Sequence, residues 1–157
     1  MSDFQQEKNI ILEFYQALDA ASPGEVEGVL KGAVAADYIW RGFYPFDVHR
    51  SAESVANKFW GPLKTSLTSL QRRMDIFFAG RNQMDDFSTV WVVSMGHLTG
   101  LFDAPWLGIT PTHKIAMLRY AEFNRIVDGK IAETAMYFDI PHLMMQAGLT
   151  PFPPQTG

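Results

Sequence analysis

Four side chains in the second half of the chain have types and spacing suited to moving protons. Asp139 closes a β-like run two residues after Tyr137, His97 lies between Gly96 and Gly100, and Arg119 sits midway along the preceding β-like segment. A carboxylate walled by rings can take a proton from the carbon beside a carbonyl, because apolar surroundings penalise its charged form. An imidazole at position 97 could donate to the enolate oxygen or shuttle a proton. The guanidinium of Arg119 suits a ligand carbonyl or carboxylate. Trp40, Trp60, Trp91, Phe123 and Tyr137, with Tyr44 and Trp106, offer ring faces for a flat, apolar or sugar-like ligand.

Each of these residues has a plainer role open to it. Asp139 stands where a short helix begins, so it could cap that helix by accepting from free backbone amides. His97 could be a core histidine bonded across a sheet, and the glycines around it favour the pocket reading by opening the surface. Arg119 and Arg125 could pair with internal acids such as Glu122, Glu133 or Asp75, and any single tryptophan could be core. His49 and His113 fall at segment edges, where solvation is expected. Asp139 and His142 are three apart, but with four histidines and no HExxH pattern no metal site is expected. Phosphate-binding glycine loops and a G-x-S-x-G elbow are absent from the sequence.

The elements that must position these groups can be read from periodicity. Residues His113 to Asp139 form two β-like segments around Asp128-Gly129, the pair that tolerates the positive φ angles of a two-residue type I′ turn. That turn fixes the register, placing Arg119, Ala121, Phe123 and Arg125 on one side and Leu118, Tyr120, Glu122 and Ile126 on the other. Ser2 with Gln5 reads as a capping box for a first helix carrying Phe4, Ile11, Phe14, Tyr15 and Leu18. Ser22-Pro23-Gly24-Glu25 starts a second. Residues 36–46 read as an extended segment. Ser51 opens a third helix with Val55, Phe59, Leu63, Leu67 and Leu70 on one side, interrupted at Gly61-Pro62. Residues 71–80 and 87–102 are β-like, with Gly96 and Gly100 marking bends that would curve the sheet. The connection 103–112 reads as a rim or lid, a short helix follows Asp139, and Gly148 caps it. The tail from Pro151 is read as extended or loose, and able to pack across a neighbouring subunit. The order predicts an α+β fold with helices on one face of an antiparallel sheet.

Composition bounds the partners. The chain has 157 residues, 47% hydrophobic and 19% charged, which suits a single domain spanning 1–157. A net charge of -4 without a basic cluster argues against nucleic acid, and the absence of cysteine removes disulfides and thiolate chemistry. No apolar run reaches the ~20 residues of a membrane span, and the N-terminus lacks a signal-peptide pattern, so a cytoplasmic location is the expectation.

Taken in order, the three-helix start, Gly96-His97 and Gly100, LGITPT, RYAEF, GKIAE and Asp139 ahead of a Gln-Ala-Gly helix end resemble the SnoaL-like, polyketide-cyclase-like branch of the nuclear transport factor 2-like (NTF2-like) superfamily, from Phe14 to Gly148. The resemblance implies a cone in which a curved sheet wraps N-terminal helices around an internal pocket. It further implies proton abstraction by Asp139 without a cofactor, on a small-molecule substrate in a homodimer. The sequence departs from the pattern at Ala135, at Thr112-His113 and at Arg125. Two other readings stand beside the enzyme: a small-molecule binding protein without turnover, and an interaction domain whose cone is filled by side chains.

Overall fold

The computed structural model describes residues 3–153. The expected Ser2 cap and the end of the tail fall outside them. Helix α1 (Gln5–Ala20) buries Ile11, Phe14, Tyr15 and Leu18. The start at Ser22 is a true capping box, with Ser22 and Glu25 each bonding the other's backbone, and it leads through a short 3-10 turn into α2 (Val26–Ala33). Helix α3 (Ala52–Val55) is capped by Ser51, runs through a π-helical turn (Ala56–Trp60) and continues as α4 (Gly61–Ser66). The wide turn absorbs Pro62, which has no amide to donate, so the helix deforms at this point without breaking. Leu67 and Leu70, expected on this helix, belong to the next strand.

Six strands form one sheet in the order β2-β1-β6-β5-β4-β3. They are β1 (Val34–Arg41), β2 (Val48–His49), β3 (Leu67–Arg81), β4 (Val90–Phe102), β5 (Ile115–Val127) and β6 (Lys130–Phe138), with α5 (Ile140–Gln146) closing the chain. The sheet is antiparallel except that β1 runs parallel to β6, which corrects the all-antiparallel expectation. A distant pair brought together by the intervening helices need not reverse direction as a hairpin must. The β5–β6 hairpin turns at Asp128 and Gly129, whose φ angles of 50° and 75° are those of the expected turn.

Both bends in β4 have the same cause. The β3–β4 register shifts between Thr68 and Gln71 and again between Met74 and Ile76, so β3 carries an extra residue opposite Gly100 and another opposite Gly96. A Cβ at Gly96 would land on the Arg73 carbonyl, and one at Gly100 would come within 2.9 Å of the Thr68 carbonyl. Glycine therefore lets the bulged backbone close in, and the paired bulges curl the sheet around the helices.

The concave face holds the core. Trp40, Phe59 and Phe46 pack with Phe138, Trp60 and Trp106 at ring separations of 4.8 to 6.2 Å. Side chains thus occupy the space between helices and sheet where a ring-walled pocket was expected. At the helical end, Lys64 reaches back to donate to the Leu18 carbonyl at 2.6 Å and tethers α4 to the last turn of α1.

Candidate functional site

The hairpin alternation sends Arg119, Ala121, Phe123 and Arg125 to the outer, convex face, while Leu118, Tyr120, Glu122, Asn124 and Ile126 face the core. The proton-moving candidates therefore meet on the side of the sheet away from the helices. His97 pairs directly across the strands with Arg119, and Ala121 with Tyr137. Asp139 follows β6, its amide donating to the Arg119 carbonyl at 3.0 Å. His97, Arg119, Tyr137 and Asp139 line one groove of about 670 Å³, together with Asp75, Met95 and Pro141.

The bulge opposite Gly96 matters here. Asp75 is the unpaired extra residue of β3, and its Oδ2 lies 3.5 Å from Nδ1 of His97. An acid behind one ring nitrogen orients the imidazole and leaves Nε2 as its other proton-transferring atom. Asp139 divides its two oxygens. Oδ1 accepts from the His142 amide at 3.1 Å, which caps α5, and Oδ2 faces Arg119 Nη1 at 3.9 Å. Capping and a groove-facing role therefore coexist in one side chain. Its side chain is 42% exposed, so the expectation of a carboxylate enclosed by apolar walls is corrected.

Trp91, Phe123 and Tyr137 line an adjoining hollow of about 450 Å³ with Phe78 and Arg81. Tyr137 stacks on Phe43 at 4.4 Å and meets Phe123 edge-on, so it forms the wall shared by hollow and groove. Trp40 and Trp60 do not join them, being 1% and 3% exposed in the core. A ring at an inward-facing position of β1 or on the buried side of a helix packs before it can line an outer groove. Arg125 lies 3.5 Å from Glu133, which also accepts from Arg41 at 2.9 Å, so one of the anticipated internal acids serves there. His49, expected to be solvated, is half-buried between Ser54 Oγ and the Phe46 carbonyl.

The connection 103–112 is a rim. Its Trp106 is buried against Phe46, and Ser66 both accepts from the Asp103 amide and donates to the Pro105 carbonyl. Leu107 and Ile109 line an apolar hollow of about 510 Å³ with Tyr44, Phe138, Met144 and Phe152. Phe138 and Pro141 border both this hollow and the Asp139 groove, so a polar and an apolar recess lie back to back at the β6–α5 junction. Among the described residues no group of three or more His, Asp or Glu gathers as metal ligands, and no helix is long and apolar enough to cross a membrane.

Beneath the sheet lies a buried polar chain that the reading of the sequence missed. Tyr38 donates to Thr134, which donates to Asn124; Asn124 donates to Tyr15, and Tyr15 donates to Glu122 at 2.6 Å. Arg72 ends it, with Nη1 at 2.5 Å from Glu122 and side-chain exposures of 3% and 2%. Burial pushes the Tyr15, Tyr38 and Tyr120 hydroxyls above their usual range, and the Glu122 charge adds to the shift in each. Burial works against the Arg72 charge, but Glu122, Tyr15 and Tyr120 outweigh it and hold the guanidinium more firmly protonated. The signal was present in the alternation, which put Glu122 on the face of Leu118 and Tyr120, where an acid requires a cation.

No protein-family model and no curated protein matches the chain. Solved structures do. AclR from Streptomyces galilaeus, named as a candidate hydroxylase, aligns at 19% identity over 98% of this chain and 87% of its own, with a TM-score of 0.74. IdmH from Streptomyces antibioticus, named as a candidate polyketide cyclase, aligns at 17% identity over 92% of this chain and 99% of its own, with a TM-score of 0.69. A candidate SnoaL-like polyketide cyclase from Jannaschia sp. CCS1 gives 17% identity, 94% of each chain and a TM-score of 0.69. The fold is the α+β cone of NTF2-like proteins, with a curved mixed sheet around N-terminal helices.

Proposed function

We propose that this chain is a small-molecule enzyme that moves a proton beside a carbonyl, in the manner of cyclases and isomerases, at the outer groove. The observation that carries the reading is the convergence of two acid–base pairs, Asp75 with His97 and Arg119 with Asp139, on one recess. In this reading Asp139 Oδ2 takes the proton as the C–H bond breaks, and the electron pair moves to the carbonyl oxygen. Arg119 carries the oxyanion with His97 beside it as a proton shuttle, and the proton then returns to carbon, or the enolate attacks a second carbonyl within the same molecule and the proton goes to the new alkoxide oxygen. The likeness to proteins named as candidate polyketide cyclases supports the reaction class. Proton abstraction can be followed without knowing the product, because α-hydrogens wash out in deuterated water. A panel of ketones, β-keto esters and ketosugars, followed by NMR, is expected to give at least one compound whose exchange the wild type accelerates and Asp139→Asn does not. Equal exchange by both proteins would overturn the assignment.

A second reading, binding without turnover, is favoured by the half-exposed, helix-capping state of Asp139. A ligand held in the groove with its α-hydrogens intact would select it.

The convex face also carries Ile76, Phe78 and Met117, each 38% to 54% exposed. Burial of this row is the driving force proposed for a homodimer. Light scattering at micromolar concentration is expected to give twice the chain mass for the wild type and a single chain mass for Ile76→Asp. A monomeric wild type would refute the pairing.

A further inference from the structure

The buried chain on the concave side ends in an unusual enclosure. The Arg72 guanidinium carbon lies 3.5 Å from the centre of the Tyr15 ring, 4.6 Å from that of Tyr120 and 5.8 Å from that of Trp60. Glu122 meets it in the plane. Ring faces around a cation with one acid at the edge make a cage for an organic monocation, since the ring quadrupoles and the carboxylate all attract the same charge. The Tyr120 hydroxyl is buried there beside Arg72 and Ser94 without a hydrogen bond of good geometry among the described residues. A buried hydroxyl without a well-formed bond marks a polar enclosure that its present occupant does not fully satisfy.

Arg72 is also held on an irregular strand. The two register shifts of β3 flank it, Ser69 lies at a φ of 55°, and its own amide bonds the Asp19 carboxylate at 3.2 Å. Asp19 borders a hollow of about 550 Å³ between α1, α4 and the start of β3, so an acid and open volume both adjoin the Arg72 backbone. Burial raises the Asp19 carboxyl above its usual range, opposed by its bond to the Arg72 amide and by the Arg72 charge. Tyr120 also borders the groove that holds Asp139, whereas Arg72, Glu122, Tyr15 and Trp60 do not line it.

We propose that Tyr15, Trp60, Tyr120 and Glu122 form a binding site for a guanidinium-type organic cation, which the chain keeps closed with its own Arg72. Arg72 is a tethered occupant that competes with any free ligand of the same class. An untethered cation meets that competition as an effective concentration in the millimolar range or above. Removing the side chain at Cβ should therefore open the cage to a small free guanidinium.

The test uses the full chain as wild type, Arg72→Ala, and Arg72→Ala with Glu122→Gln, titrated with methylguanidinium chloride and, in parallel, with neutral methylurea at equal ionic strength. Arg72→Ala is expected to melt earlier than wild type, to bind methylguanidinium at one site, and to melt later as the cation is added. Wild type should require on the order of 100-fold more cation, because its own side chain holds the cage. The double variant should show no rescue, and methylurea should rescue neither. If Arg72→Ala fails to stay soluble, refolding it in methylguanidinium against methylurea reads the same discrimination as recovered soluble protein. Equal effects of the two compounds, equal binding by wild type and Arg72→Ala, or rescue persisting without the Glu122 charge would each overturn the proposal and leave Arg72 a packing residue.

Discussion

Three tyrosines buried among polar partners make alkaline pH a quantitative probe of the interior. Tyr15, Tyr38 and Tyr120 are 4%, 3% and 3% exposed, and each is pushed above its ordinary value of 10.0. A hydroxyl whose folded value is raised stays protonated in the folded chain while the unfolded chain releases its proton. Its contribution is therefore intact below pH 10 and is lost as the pH climbs from there toward the folded value. Each retained proton costs about 1.4 kcal/mol per pH unit. Tyr15 and Tyr38 together remove about 3 kcal/mol per unit once the unfolded chain has ionised, and Tyr120 adds in the same direction. Lys64, whose ammonium burial pulls down from 10.5, acts in the opposite sense but only below that value. Against a typical total of about 5 to 15 kcal/mol, the chain should unfold within a few units above pH 10. Urea denaturation followed by circular dichroism between about pH 8 and pH 12 measures the slope, and ultraviolet difference absorbance counts tyrosinates. Tyr15, Tyr38 and Tyr120 should ionise only as the chain unfolds. Five tyrosines titrating together near pH 10 in a folded protein, or stability flat to pH 12, would refute the buried network.

Three further outcomes follow from named contacts. Gly96→Ala forces a methyl onto the Arg73 carbonyl and should cost about 1 to 3 kcal/mol in urea denaturation, whereas Gly80→Ala, with nothing within 4 Å of the new carbon, should be close to neutral by comparison. Asp139→Ala removes the α5 cap and should cost about 1 kcal/mol in the same assay, while Asp139→Asn, which can still accept from the His142 amide, should lose less than half of that. Glu122→Gln leaves the Arg72 charge without its partner and should cost about 3 to 5 kcal/mol, read as a lower denaturation midpoint with the slope unchanged.

Much of the architecture was legible where local chemistry and long-range packing agree. Asp128-Gly129 tolerates the positive φ angles its turn requires, Ser22 to Glu25 satisfies its own amides, and Gly96 and Gly100 mark the bends of β4. Leu67 and Leu70 misled because their spacing continues the helical stripe of Phe59 and Leu63, and alternation on β3 begins there with an irregular register. The parallel pairing of β1 with β6 depends on contacts almost a hundred residues apart, which no local pattern encodes. The groove was half visible. Asp139, His97, Arg119 and Tyr137 follow from register, but the face they occupy depends on which side the helices cover. Asp75 enters only because a bulge turns it toward His97. Trp40 and Trp60 show the limit of reading rings from composition, since stacking surface and core filler carry the same residue types.

That extra residue on β3 is a spare in the pairing scheme. With Met74 opposite Gly96 and Ile76 opposite Met95, excising Asp75 would leave every neighbouring pair in place. A deletion there would therefore not slip the strand or turn Ile76 and Phe78 inward, as losing any properly paired residue would. It would straighten the sheet locally and strip His97 of its acid in a single step. Strand geometry and imidazole orientation are thus tied to one position.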